Sequence, residues 1–297
     1  MVVIDAIDAI RKQVNEWKKE GLSVGLVPTM GYLHQGHQSL IEKAAKENDK
    51  VVVSIFVNPL QFGPKEDLAT YPRDFDRDKQ ICEFAGTGLI FYPSADVMYN
   101  KDFSTSVNMR GLTDNLCGKS RPTHFTGVCT VVNKLFNIVT PDRAYFGQKD
   151  AQQLFIIKRM VRDLNINVEI VGCPIIREEN GLAKSSRNTY LSDNERMAAT
   201  VLNKSLIKAK DLIENGISNV DSVLNIIKET IECEPLAKID YINIVDIDSL
   251  RNVDSIDRSV LVAIAVYVNK TRLIDNFIYE IYWFHIIIWF VFIFIYS

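Results

Sequence analysis

The chain has 297 residues, 47% apolar and 24% charged, and its 34 basic and 37 acidic side chains leave a formal charge of −3. That balance excludes whole-chain disorder, because apolar content is high and net charge low, and it leaves no global positive field to hold DNA or RNA. At about 150 residues per domain, the length suits two domains, each able to bury a core.

Residues 2–20 place Val3, Ile7, Ile10, Val14 and Trp17 on one stripe and predict a helix. A short apolar strand is expected over 23–27, then a helix over 39–46 continuing from Gly36 and His37. KVVVSIFV at 50–57 is a continuous apolar run, the type buried on both faces of a parallel sheet. A helix over 74–84, a strand over 89–92 and a helix over 126–138, stopped before Pro141, come next. A strand over 144–146, an amphipathic helix over 150–165 and a strand over 168–176 complete this part. The alternation implies an α/β fold: a doubly wound parallel sheet with helices on both faces. Ligands of such sheets bind at the carboxyl ends of strands, which points to the loops after Val27, Val57 and Phe146. Beyond Ile176 the texture changes to helices near 194–215 and 220–232 and strands over 239–245 and 259–268. The expected domains are therefore 1–176, a smaller α+β unit over 177–280, and an apolar tail over 281–297.

Cys82, Cys117, Cys129, Cys173 and Cys233 are scattered with no CxxC pair, which reads as reduced thiols and not as a zinc or disulfide framework. The opening MVVIDAIDAIRKQ lacks a basic region followed by an apolar core, so no signal peptide is expected and the location is read as cytoplasmic.

Four clusters carry candidate chemistry. In Pro28-Thr-Met-Gly-Tyr-Leu-His-Gln-Gly-His37 a strand ends, a loop follows, and His34-x-Gly36-His37 opens a helix. Helix-start amides attract phosphate, Gly36 permits close approach, and imidazoles three apart share a helix face. A metal site would need a third ligand nearby; plain helix-start side chains are the other alternative. Gln61, after the 50–57 strand, offers an amide donor and acceptor, with Asn58 beside it. Gly147, Lys149 and Asp150 follow the 144–146 strand, suiting backbone approach, phosphate charge and helix capping, and Gln153 lies one turn on, with Gln152 the bystander. Lys184-Ser185-Ser186-Arg187 joins two cations to two hydroxyls in a loop suited to a triphosphate. Asp78 is the carboxylate read as approaching a magnesium ion, and Arg121 and His124 as shaping the pocket; a solvated helix face is the plain alternative for Asp78.

The His34-x-Gly36-His37 segment resembles the HxGH signature of nucleotidyltransferases, and the longer PTMGxLHxGH resembles the pantoate–β-alanine ligase (pantothenate synthetase) family. VSIFVNPLQFG at 53–63, Arg121-Pro-Thr-His-Phe-Thr-Gly127, Phe146-Gly-Gln-Lys-Asp-Ala-Gln-Gln153, Lys184-Ser-Ser-Arg-Asn188 and Arg272-Leu-Ile-Asp-Asn276 extend the likeness over 1–276. The resemblance implies a Rossmann-like fold and ATP-dependent condensation of pantoate with β-alanine through a pantoyl-adenylate, with ATP and Mg²⁺ required. It implies that ATP lies on Met30, Gly31, Tyr32, Leu33, His34, Gln35, Gly36, His37, Gly147, Gln148, Lys149, Asp150, Ile176, Lys184, Ser185, Ser186 and Arg187. Gln61 would contact pantoate and β-alanine, Gln153 would contact pantoate, and His34, His37 and Lys149 would be catalytic, His37 as proton donor or main hydrogen-bond donor. It also implies a homodimer. A non-catalytic binding protein on the same fold, or another nucleotidyltransferase, are the rival classes.

The end departs from the family. The run over 281–296 is apolar but for His285, shorter than the roughly 20 residues of a spanning helix. A frameshift or read-through, a last strand with an apolar extension, and a membrane anchor all fit it, the last being disfavoured. Asn269 replaces the family's usual glycine before Lys270-Thr-Arg272, at a turn where Asn tolerates left-handed backbone.

Overall fold

The computed structural model describes residues 1–64 and 66–281. The elements run β1 (Val2–Ile4), α1 (Ile7–Lys19), β2 (Val24–Thr29), α2 (Gln35–Glu47), β3 (Lys50–Ile55), α3 (Phe75–Phe84), β4 (Leu89–Phe91), α4 (Ala95–Met98), α5 (Leu116–Ser120), α6 (His124–Val139), β5 (Arg143–Gly147), α7 (Ala151–Asp163) and β6 (Glu169–Cys173). Then come α8 (Asp193–Ala199), α9 (Val201–Glu214), α10 (Val220–Glu232), β7 (Ala237–Asp246), β8 (Val260–Val268) and β9 (Thr271–Tyr279).

The first six strands form one parallel sheet in the order β1-β4-β3-β2-β5-β6. Alternation along β2 and β3 sends Val27, Val51, Val53 and Ile55 to one face, under Leu40, Ile41 and Cys82 of α2 and α3. Val24, Leu26 and Val52 go to the other face, under Ile10 and Val14 of α1 and the apolar sides of α6 and α7. Strand order reverses at β2: β3 and β4 follow on one side, β5 and β6 on the other. The carboxyl ends of β2 and β5 therefore flank the crevice that such a reversal opens.

The C-terminal part is an antiparallel sheet, β7-β8-β9. Along β8, Leu261 and Ala263 face the first domain's core, whereas Val260, Val262, Ile264, Val266 and Val268 pack on α9 and α10. The second sheet is thus bolted to the first domain by its own alternation.

Three expectations need correction. Residues 2–4 are a strand, not the start of a helix: β-branched Val2, Val3 and Ile4 pair in parallel with Leu89, Ile90 and Phe91. The helix expected over 194–215 is two helices meeting at Thr200. Residues 271–279, read only as a family motif and a possible last strand, form β9, paired with β8 along its whole length. Asn269 adopts φ 53° in the β8–β9 turn, the left-handed backbone its position requires. Among the described residues no helix is long and apolar enough to cross a membrane. The tail beyond 281 lies outside them.

One close approach sets the cleft floor. The 3₁₀ turn Pro59–Gln61, which carries Gln61, lies on α6 at Gly127, where an added Cβ would meet the Leu60 carbonyl oxygen at 2.3 Å and the Gln61 nitrogen at 2.5 Å. Gly127→Ala must push backbone against backbone, so urea denaturation should show a loss of about 1–3 kcal/mol. Unchanged stability would mean that the turn moves away freely.

Candidate active site

The chain leaves β2 through Met30, Gly31 and Tyr32, the last two left-handed at φ 83° and 51°. Asp78 of α3, 1% exposed, holds this bend: its oxygens accept the N–H of Tyr32 at 2.7 Å and of Leu33 at 2.6 Å. Burial pushes the Asp78 carboxyl up, against the two N–H donors that favour its ionised form. The carboxylate expected near magnesium is therefore committed to the loop, and it does not line the main cleft. No group of three or more metal-ligating side chains occurs among the described residues.

His34 is the N-cap of α2. Its Nδ1 accepts from Gly36 N–H at 3.1 Å, and His37 Nδ1 accepts from His34 N–H at 3.3 Å. A backbone N–H only donates, so both Nδ1 atoms are unprotonated, and the hydrogen of each neutral ring sits on Nε2. The ring centroids are 4.1 Å apart. Burial, then His37 and the cations Lys149, Lys184 and Arg77, depress His34 to about 2. Burial depresses His37 to about 4, with Asp150 pulling up and Lys149 pushing down. The pair is neutral at physiological pH.

A cleft of about 230 Å³ opens over these imidazoles. Met30, His34, Gly36 and His37 line one side; Gly147, Lys149, Asp150 and Gln153 line the β5 side. Ile176, Lys184, Ser185, Ser186 and Arg187 close the third. Gln61, Asn58, Arg121 and His124 form the floor. Five of the expected ATP contacts, Gly31, Tyr32, Leu33, Gln35 and Gln148, lie outside the residues that line this cleft. Leu33 is a fully buried core residue, Gln35 is exposed, and Tyr32 has Arg77 over its ring at 5.0 Å.

Gln61 is fixed from three directions. Asn58 Nδ2 donates to Gln61 Oε1 at 3.1 Å and to the Gly127 carbonyl at 3.0 Å, while Asn58 Oδ1 accepts from Tyr99 Oη at 2.8 Å. His124 Nδ1 donates to the Gln61 carbonyl at 2.9 Å, and Arg121 reaches the same oxygen at 3.3 Å. Among the described residues the Gln61 amide nitrogen meets only the weak acceptor Met30 Sδ at 3.0 Å, so it is the donor left to the cleft. Gln152 turns away, donating to the carbonyls of Leu112 and Asn115 at 2.9 and 2.8 Å.

The cleft's guanidinium groups are paired. Arg121 donates to Glu66 at 2.8 Å, and Arg187 grips both oxygens of Asp67 at 3.0 Å each. Burial alone would raise both carboxyls; the arginines outweigh it and hold them below the usual range. Ser186 donates to the Tyr32 carbonyl at 3.2 Å, tying the 184–187 loop to the bend after β2.

Sequence reading missed Glu66, Asp67 and Tyr99, which act on other residues and announce no chemistry of their own. It also missed Ser54, a cleft-lining hydroxyl without a partner among the described residues, and it assigns no role to Tyr71, which lines the same cleft.

The family model described as pantoate-beta-alanine ligase matches residues 2–278. A pantothenate synthetase of Enterococcus faecalis is 62% identical over 281 residues, covering 95% of this chain and all of that protein. One from Clostridium acetobutylicum is 61% identical over the same shares. The crystal structure of pantothenate synthetase from Thermus thermophilus superposes with a TM-score of 0.89 at 44% identity, covering 93% of this chain and 99% of that one. That of a Francisella tularensis pantoate-beta-alanine ligase, complexed with beta-gamma ATP and beta-alanine, gives 0.77 at 37%, covering 93% and 97%.

The buried imidazoles bear on stability. His37 and His124 are depressed to about 4 and His34 to about 2, against an ordinary 6.5. The unfolded chain therefore takes up protons first as pH falls. This stabilisation is complete above pH 6.5 and is lost as pH drops towards 4. The urea midpoint should fall steadily across that window, and His124→Gln should flatten the fall. A midpoint constant from pH 7 to 4.5 would contradict neutral buried imidazoles.

Proposed function

The chain belongs to the pantoate–β-alanine ligase family, and from that premise we propose that it makes pantothenate in two steps on this cleft. In the first, a pantoate carboxylate oxygen attacks the α-phosphorus of ATP; the new O–P bond forms as the bond to the β-phosphate oxygen breaks and pyrophosphate leaves. In the second, the β-alanine amine attacks the acyl carbon, AMP leaves with the C–O bond electrons, and the amine gives up a proton. The observation that carries this reading is the pair of neutral imidazoles, both Nδ1 atoms accepting, beside Lys149 in one cleft.

His34 and His37 act as neutral Nε2–H donors to phosphate oxygens, which favours the hydrogen-bond role for His37 over that of an acid charged beforehand. Lys149, Lys184, Ser185, Ser186 and Arg187 meet the triphosphate, with Arg187 exchanging Asp67 for it. Gln61 offers its amide hydrogens to pantoate, and Gln153 holds it from the opposite wall, so that the carboxylate lies in line with phosphorus. The residues do not fit a protein-built magnesium cage. A magnesium ion would come with ATP and would supply counter-charge to its phosphates. We read the molecule as cytoplasmic, from its scattered thiols, and as a homodimer, as the resemblance implies.

Pantoate-dependent exchange of labelled pyrophosphate into ATP, without β-alanine, tests the first step; adding β-alanine should then yield AMP and pantothenate. His37→Ala should cut exchange by about 10²–10³-fold, the loss typical of a transition-state donor. Gln61→Ala should chiefly raise the KM for pantoate. No exchange by the folded protein, with pantothenate still formed, would rule out a free adenylate route.

A further inference from the structure

The turn that presents Lys149 does not hold itself. The 3₁₀ turn Gln148–Asp150 and the following α7 both begin without a side-chain cap. What fixes it comes from the other domain. Asn276 of β9, 5% exposed, donates from Nδ2 to the Gln148 carbonyl at 3.1 Å and to the Lys149 carbonyl at 2.8 Å. Both hydrogens of one amide thus clamp two consecutive carbonyls 127 and 128 residues away.

Its neighbour does the same for a second wall of the cleft. Asp275, 2% exposed, takes Arg177 through both oxygens at 2.6 and 3.0 Å, and Arg177 also donates to the Gly181 carbonyl at 3.1 Å, on the stretch leading to Lys184–Arg187. Asp275 further accepts the Asn276 N–H at 2.8 Å, fixing the backbone from which Asn276 reaches. Consecutive residues on a strand face opposite ways, so one edge strand serves two loops.

We infer that Asn276 is a positioning residue for Lys149, setting where its ammonium stands relative to the phosphates of ATP. The inference rests on the reading that Lys149 meets those phosphates. Asn276 does not itself line the cleft of His34 and His37. Without its two hydrogen bonds the uncapped turn is free to shift, and a displacement of about 1 Å at a charged group is enough to cost up to about 10²-fold in rate.

A double-mutant cycle on the full chain tests this, reading kcat/KM for ATP and KM for pantoate separately, with the thermal midpoint of each variant. Asn276→Ala should lower kcat/KM for ATP by about ten-fold, the size expected for two lost hydrogen bonds, while the KM for pantoate stays within about two-fold. Lys149→Ala should cost more, and the double variant should be no worse than Lys149→Ala alone, because the effect passes through that lysine. Multiplicative losses, or equal damage to both substrates, would reduce Asn276 to a packing residue and overturn the inference. If Asn276→Ala does not fold, Asn276→Ser, which keeps one donor, should give a smaller loss with the same selectivity for ATP. Unimpaired ATP use by Lys149→Ala would instead remove the premise, and that outcome is distinct because it appears in the lysine variant by itself.

Discussion

The cleft depends on one buried carboxylate. Gly31 and Tyr32 leave β2 with left-handed backbone, and for a residue with a side chain that conformation costs on the order of 1–3 kcal/mol. Asp78 offsets it by taking two successive N–H groups in charge-assisted bonds. Successive N–H groups curling round an anion are the arrangement in which other proteins bind phosphate, but here the anion is a side chain from the neighbouring helix. The bend is therefore filled before any ligand arrives, and it serves to aim α2. His34 then starts that helix in extended backbone, with both imidazoles folded back over its first amides.

Charge is arranged in a similar way. A chain of net charge −3 binds a polyanion only by local placement, and desolvated guanidinium groups without partners would be costly. Glu66 and Asp67 supply those partners to Arg121 and Arg187. The arginines stand paired and partly buried at the cleft, so on the proposed reading an incoming triphosphate would exchange one set of oxygens for another. Little reorganisation is left for the moment of reaction, which is the condition under which fixed charges act most strongly.

Much of this was legible in the sequence, and the illegible part has a physical pattern. Strand–helix alternation exposed the sheet, because buried parallel strands such as Lys50–Ile55 read as unbroken β-branched runs. β1 escaped because Val3 falls in phase with the stripe of α1 that follows. In the site, His34, His37, Gln61, Lys149 and Arg187, singled out for the chemistry their side chains can carry, line one cleft. Within the contiguous motif, the bend turns the side chain of Leu33 into the core and that of Gln35 into solvent. Asp78 was singled out, but its hold on the bend was not legible. An acid in a helix looks available, and nothing local shows that two backbone N–H groups 45 and 46 residues away lack partners. Asn276 was visible only as part of a motif, since its partners are carbonyls, which every residue has.

The arrangement separates two functions that a cationic site usually merges. Two charged imidazoles with centroids 4.1 Å apart, beside Lys149 and Lys184, would repel one another and their neighbours. Burial and those cations keep both rings neutral, so the histidines supply direction: a fixed tautomer, a fixed ring plane and an Nε2–H whose position is set by Nδ1. The lysines and arginines supply charge. Direction comes from the first domain's own helix start, whereas the backbone beneath Lys149 and the loop bearing Lys184 and Arg187 are held by consecutive residues of β9. On the proposed reading, charge and direction would meet at the phosphates only when the two domains are docked, and Leu261 and Ala263 of β8, packed into the first core, hold the second sheet there.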